Sequence, residues 1–325
     1  MKLLVLSADD LARALSMKES IEGVKDAFSR LSAGRASTPP RTAVDVPAAG
    51  GTTLLMGAHV DGLGLATKTV SVFPGNRERG EPVVHGLVLV LDPETGQPQA
   101  LCDGTFLTAL RTGAASGVAT ELLSRTDARV GAVIGCGPQG RTQALAIDCV
   151  SELEEIRLCD RQIEVASRLA DDLREQVGAR LVVHGDPSRA IADADVICAA
   201  TTSATPVFDG KLLKPGAHVN GVGSFTLEMR ELDGETVSRS RVFIDSMESA
   251  LAEAGDLVSA ENEGLTSRDR WVELGLVAAG LAPGRRSASE ITLFKSVGHA
   301  VQDVAVAATA CAAARERGLG RVVEL

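Results

Sequence analysis

The sequence predicts an α/β protein in which a Rossmann-type doubly wound parallel sheet is inserted after a separate α+β domain. Three observations carry this. From residue 129 onward, short β-rich runs alternate with helix-length segments. At 131–140 the chain reads GAVIGCGPQG, with glycines at 135, 137 and 140 closing an apolar run. Between 41 and about 103 the pattern is instead short alternating segments joined by tight turns, which suits an antiparallel sheet.

Taken in order, the first 34 residues read as helical, with Ser7 and Ser16 as N-caps and Gly34 just past the second helix. Strands follow at 41–46, 51–59, 63–73 and 83–91, and Asp61-Gly62 marks a hairpin turn. A helix spans about 104–124. The alternation then runs strand 129–135, helix 138–150, strand 155–160, helix 161–177 and strand 180–184. Further strands read at 195–201, 218–223 and 241–245, and a last helix, from about 296 to 317, is placed to return to the first domain. The domains are therefore expected at 1–120 plus 296–325, and at 121–295.

The chain of 325 residues is 45% hydrophobic and 23% charged, which is the balance of a globular protein with well-developed cores. A net charge of -10 with scattered basic residues argues against a nucleic-acid partner. The N-terminus, MKLLVLSADD, has too short an apolar stretch for a signal peptide, and the alanine-rich run at 304–314 is too short for a membrane span. Cysteines at 102, 136, 149, 159, 198 and 311 form no CxxC pair, so neither a disulfide framework nor a metal site is expected, and a cytoplasmic location is. Histidines at 59, 85, 184, 218 and 299 show no metal-ligand spacing.

The glycine motif gains weight from its context. A strand-like run precedes it, a helix-like run follows it, and Asp160 ends the next strand 20 residues after Gly140. Such a turn lets the backbone approach a pyrophosphate at a helix N-terminus, while the acid meets the ribose hydroxyls. Asp160 would repel a 2′-phosphate, so NAD(H) is favoured over NADP(H), although Arg161 next to it offers a partner for that phosphate.

Two cations stand out before this motif. Lys68, in strand phase, shares a face with Ala66, Val70 and Val72. Arg111 falls on a helical stripe with Leu107, Ala115, Val118 and Leu122. A cation on an apolar face needs an anion to meet it. For Lys68 the alternative is a side chain reaching the sheet edge, and for Arg111 a structural ion pair.

Together these segments resemble the ornithine cyclodeaminase/mu-crystallin family. The resemblance rests on PPR at 39–41, TKTVSVFPGN at 67–76, DGTFLTALRTGAAS at 103–116, GCGPQG at 135–140, VNGVGSF at 219–225 and TLFKSVGHAVQD at 292–303. It implies a dimer whose N-terminal substrate-binding and dimerisation domains pair their sheets, with the nicotinamide in a cleft between domains. It also implies that Arg41, Lys68 and Arg111 converge on a substrate carboxylate, with Lys68 and Arg111 catalytic. The implied cofactor contacts are Thr112, the turn residues Gly135, Gly137, Pro138, Gln139 and Gly140, then Asp160, Arg161, Thr201, Val222 and Lys295.

Departures from the family pattern point to its reductases. Phe225 stands where ornithine cyclodeaminases have an aspartate, Val83 where they have a threonine, and Lys295 where they tend to have an acid. The expectation is NAD(P)H-dependent reduction of a cyclic imino acid, such as pyrroline-2-carboxylate or piperideine-2-carboxylate. Three alternatives stay open. They are an alanine-like amino-acid dehydrogenase, an ornithine cyclodeaminase using another acid such as Glu228, and a non-catalytic ligand-binding protein.

Overall fold

The computed structural model describes residues 1–325, which fall into two units, one of residues 1–111 with 300–325 and the other of residues 112–299. The first unit begins with β1 (Lys2–Leu6), α1 (Ala8–Ala14), α2 (Met17–Ser32) and β2 (Ala36–Ser37). It continues through β3 (Thr42–Val46), β4 (Gly51–Val60), β5 (Gly64–Val72), β6 (Val84–Leu91) and β7 (Pro98–Asp103). The helix α3 (Gly104–Leu123) contains the division between the units.

Ser7 and Ser16 cap α1 and α2 through reciprocal bonds with Asp10 and Glu19, so both helix starts follow from local sequence. β1 does not. The run KLLVL falls in the segment expected to be helical, but it pairs in parallel with β7, about a hundred residues away, which is the scale of a small domain. Long-range pairing of this kind leaves no local signal. From β4 to β7 the neighbours are antiparallel, with the β4–β5 hairpin turning at Gly62 (φ 71°).

The second unit carries β8 (Val130–Ile134), α4 (Pro138–Val150), β9 (Glu155–Cys159), α5 (Ile163–Leu173), β10 (Arg180–His184) and α6 (Pro187–Ile191). Next come β11 (Val196–Ala199), β12 (His218–Gly221), α7 (Gly234–Arg239), β13 (Ser240–Ile244), α8 (Met247–Glu253) and α9 (Gly255–Asn262). It closes with β14 (Val272–Glu273), α10 (Leu274–Ala278) and β15 (Ile291–Lys295). The chain then returns to the first unit as α11 (Ala300–Arg317) and β16 (Arg321–Glu324).

The second sheet has the order β10-β9-β8-β11-β12-β15-β13-β14, and its strands run parallel. The order reverses between β8 and β11, which is where doubly wound sheets open a crevice for ligands. Alternate residues feed two cores. Ala132, Ile134, Ile197 and Ala199 join one apolar cluster, while Val133, Val196 and Cys198 join the other with Ile147 and Leu169. Both faces are therefore covered, as parallel sheets require. The sequence reading did not include β15, which lies between β12 and β13.

In the first unit, α11 packs across β4, β5 and β6 and against α2. The sheet face beneath it is closed by Ala58, Val60, Ala66, Val70, Val88 and Val90. The opposite face keeps Val44, Leu55 and Leu87 exposed at 50%, 43% and 52%. Leu55 and Leu87 both lie opposite Thr69 in register, so they form one patch. No helix is long and apolar enough to cross a membrane.

Candidate functional site

Lys68 sits on β5 with its side chain on the buried face, between Met56 of β4 and Val88 of β6 in register. Its Nζ donates to Asp303 Oδ1 at 2.7 Å and, at 3.4 Å, to Thr108 Oγ1. Arg111, on α3, brings Nε within 3.4 Å of the same Asp303 oxygen and donates from Nη1 to Gln302 Oε1 at 2.5 Å. Arg41 lies half-buried just before β3, and its charge is felt at Lys68. The three expected cations thus belong to one neighbourhood. It is organised by an acid on α11 that the sequence reading had not singled out. One signal was available: Gln302 and Asp303 are strongly polar residues inside an alanine- and valine-rich helix.

Lys68, Arg111, Gln302 and Asp303 are all buried. Two cations against one carboxylate leave one excess positive charge, before Arg41 is considered. Burial drives the Lys68 pKa down to about 8, with Arg111 and Arg41 acting in the same direction and Asp303 opposing. Three buried atoms here make no hydrogen bond: Arg111 Nε, Gln302 Nε2 and Asp303 Oδ2. Two are donors and one is an acceptor. Orphan polar atoms are costly in a protein interior and so mark a place where a polar ligand fits.

In the second unit the glycine turn joins β8 to α4, and each glycine answers a different constraint. Gly135 has φ 94°, and a Cβ there would lie 2.6 Å from the Ala200 carbonyl oxygen. A Cβ on Gly140 would overlap the Gly135 carbonyl oxygen. Gly137 is exposed, meets nothing within 4 Å, and caps α4 without a side-chain bond. The first-turn N–H groups of α4 therefore face an open cradle, which fits a dinucleotide pyrophosphate. Asp160, after β9, accepts from the Cys136 N–H at 2.8 Å and the Gln162 N–H at 3.0 Å. Arg161 beside it is exposed.

The remaining expected contacts divide. Pro138 is exposed and Gln139 half-buried in the first turn of α4, with Gln139 Oε1 unpartnered. Thr112 is buried on α3, where its carbonyl accepts from Gln143 of α4. Thr201 follows β11, and Val222 follows β12. Lys295 is a correction. Its side chain has no exposure, and Nζ is used by Ser224 O, Ser224 Oγ and Asp256 Oδ2 at 2.7, 2.6 and 3.0 Å. An ammonium so enclosed is held by these three partners, which differs from the exposed position expected of a cofactor contact. Sequence spacing could not reveal this, because Asp256 comes from a helix outside the matched segments. The reading also missed Glu231, whose carboxylate accepts from the N–H groups of Thr201, Gly223 and Ser224.

The family model for ornithine cyclodeaminase/mu-crystallin matches residues 1–317. The chain belongs to this family. A Delta(1)-pyrroline-2-carboxylate reductase of Bacillus cereus is 39% identical over 99% of this chain and 100% of its own. The structure of a Thermococcus litoralis Delta(1)-pyrroline-2-carboxylate reductase, in complex with NADH and L-proline, superimposes with a TM-score of 0.95 at 40% identity. The match covers 98% of this chain and 99% of that one. An archaeal alanine dehydrogenase dimer with bound NAD gives a TM-score of 0.93 at 32% identity, over the full length of both chains.

The open cradle at Gly137 separates folding from binding. Its φ of -76° suits any L-residue, so Gly137→Val should leave the thermal midpoint within about 2 °C of wild type, as for an ordinary surface change. Dinucleotide affinity, measured by calorimetry, should fall at least about tenfold because the valine occupies the cradle.

Proposed function

We propose that this protein reduces a cyclic imino acid, such as pyrroline-2-carboxylate or piperideine-2-carboxylate, to the L-amino acid with NADH, NADPH being the less favoured donor. The observation that carries this is the set of orphan atoms around Asp303. Two donors suit a carboxylate, and the lone acceptor suits an N–H next to it, which is the pattern of an α-imino acid once protonated. Similarity to the pyrroline-2-carboxylate reductases supports the same reading.

When bound, the dinucleotide would supply a hydride to the imine carbon. The chain's own residues do the rest. The excess positive charge of Lys68 and Arg111, reinforced by Arg41, holds the substrate carboxylate. Of the three N–H groups on Lys68, one goes to Asp303 and one, at longer range, to Thr108, which leaves one for the ligand. With a pKa of about 8, Lys68 is an ammonium near neutrality that gives up a proton readily, and protonating the imine nitrogen makes its carbon electrophilic. Asp303 Oδ2 then accepts the new N–H. The neighbours of Lys68 on its sheet face are Met56 and Val88, which suit a hydrocarbon ring better than a second charged group. Phe225, after β12, likewise has no group to take a proton from an ornithine amine.

We further propose a homodimer that buries the exposed sheet face around Leu55 and Leu87. The dimeric alanine dehydrogenase relative supports this. Six free cysteines suit the reducing cytoplasm.

Four outcomes are expected. Purified protein should oxidise NADH with either cyclic imine, and faster than with pyruvate plus ammonia; no oxidation with either imine would overturn the proposal. Activity should fall as pH rises through about 8, where Lys68 loses its proton. Asp303 raises the Lys68 pKa, so Asp303→Asn should move that limb lower by about one unit or more, read from kcat/KM profiles at equal total imine. Leu55→Glu combined with Leu87→Glu should convert a dimer to a monomer by light scattering.

A further inference from the structure

Beneath the carboxyl ends of β11 and β12 lies a charged cluster that the mechanism above does not use. Glu231, Asp256 and Lys295 are all essentially without solvent exposure. Asp256 Oδ1 accepts from the N–H groups of Glu231 and Leu232 at 2.7 and 3.0 Å. Its Oδ2 accepts from Ser224 Oγ and lies 3.0 Å from Lys295 Nζ. Lys295 in turn donates to the carbonyl and hydroxyl of Ser224. Glu231 gathers the N–H groups of Thr201, which follows β11, and of Gly223 and Ser224, which follow β12. The two loops are pressed so close that a Cβ on Gly223 would overlap the Thr201 backbone.

The cluster has a definite charge. The Glu231 oxygens accept the N–H groups of Thr201, Gly223 and Ser224 and also bond the Thr201 side chain, a donor set that suits a carboxylate. Burial, with the neighbouring Asp256 charge, raises the Glu231 pKa above the usual carboxylate value, and Lys295 and the bonds to Thr201 oppose this in part. Burial also opposes the charge on Asp256, yet Lys295 and the bonds to Leu232 and Ser224 bring its pKa below the usual carboxylate value. Two carboxylates and one ammonium leave one excess negative charge in a buried interior. Breaking a buried set of this kind is expensive, so its retention asks for a purpose beyond packing.

Its position supplies one. Asp160, at the end of β9, marks the adenosine side of the turn. A dinucleotide in a doubly wound sheet runs along the strand ends and across the reversal of strand order, here between β8 and β11. Its nicotinamide half then lies toward the ends of β11 and β12. The nicotinamide ring is neutral when reduced and cationic when oxidised, so a fixed negative charge beneath it distinguishes the two forms.

We propose that Glu231, with Asp256 and Lys295, is a positioning cluster that shapes the loops after β11 and β12 and stabilises the oxidised, cationic nicotinamide relative to the reduced one. This rests on the dinucleotide reading above. It makes Lys295 a second-row support of the cofactor loops and gives the protein a built-in bias toward giving up hydride.

The test needs no imine. Dissociation constants for NAD+ and NADH are measured separately by calorimetry on the full-length protein, for wild type, Glu231→Gln, Glu231→Asp and Asp256→Asn, with circular dichroism confirming each fold. Glu231→Gln should raise the ratio of the NAD+ constant to the NADH constant by about fivefold or more, the scale expected for one charge at partly buried range. Asp256→Asn should move the ratio in the same direction, and it carries the test if Glu231→Gln does not fold. Glu231→Asp keeps the charge, so it should weaken both nucleotides and leave the ratio unchanged. Folded Glu231→Gln or Asp256→Asn protein that weakens both nucleotides equally, or neither, would overturn the proposal. Wild-type protein that binds neither nucleotide would overturn the dinucleotide reading itself, and this inference with it.

Discussion

A lysine and an arginine buried within reach of one another repel, and each has lost its hydration, so the pair is costly without a compensating anion. Asp303 is that anion, placed against both Lys68 Nζ and Arg111 Nε by the last long helix. The first unit is built so that this contact can exist. β5 presents Lys68 to the covered face, α3 follows β7 and presents Arg111, and α11 returns from the far end of the chain to lay Asp303 and Gln302 over both. The ion triad is incompletely satisfied by its own members. The buried donors and acceptor that make no hydrogen bond here, together with the excess positive charge, give the chemistry proposed for it.

The second unit solves a different problem with backbone groups. At the glycine turn the chain comes so close to itself that side chains are excluded at Gly135 and Gly140, while Gly137 stays open. Asp160 ties the turn to the end of β9. Across the reversal of strand order, Glu231 does the equivalent for the next two strand ends. The carboxyl edge of the parallel sheet is thus pinned on both sides by buried or half-buried acids that accept backbone N–H groups. Such bonds to a charged acceptor are the stronger kind, and they hold a loop shape without a ligand present.

Family membership narrows the chemistry without fixing the substrate. Relatives of the same fold are named pyrroline-2-carboxylate reductase and alanine dehydrogenase, and one fold commonly hosts several activities. Differences of substrate between members of one fold arise in the side chains that line the site. Met56 and Val88 flank Lys68 on its sheet face, and Phe225 follows β12 in the second unit.

Much of this was legible in the sequence. Local chemistry determined the capped helices after Ser7 and Ser16, the hairpin at Asp61-Gly62, the alternation of strand and helix from β8 through β10, and the glycine turn between β8 and α4. Apolar faces interrupted by Lys68 and Arg111 announced that an anion must be found for them. Only the tertiary structure decided which one. Asp303 is 235 residues from Lys68, Asp256 is 39 residues from Lys295 by number, and β1 finds its partners in β7 and β16. Periodicity and capping act within a few turns of chain, so they reveal that a buried charge needs a partner. Which distant group meets it depends on how the strands and helices pack.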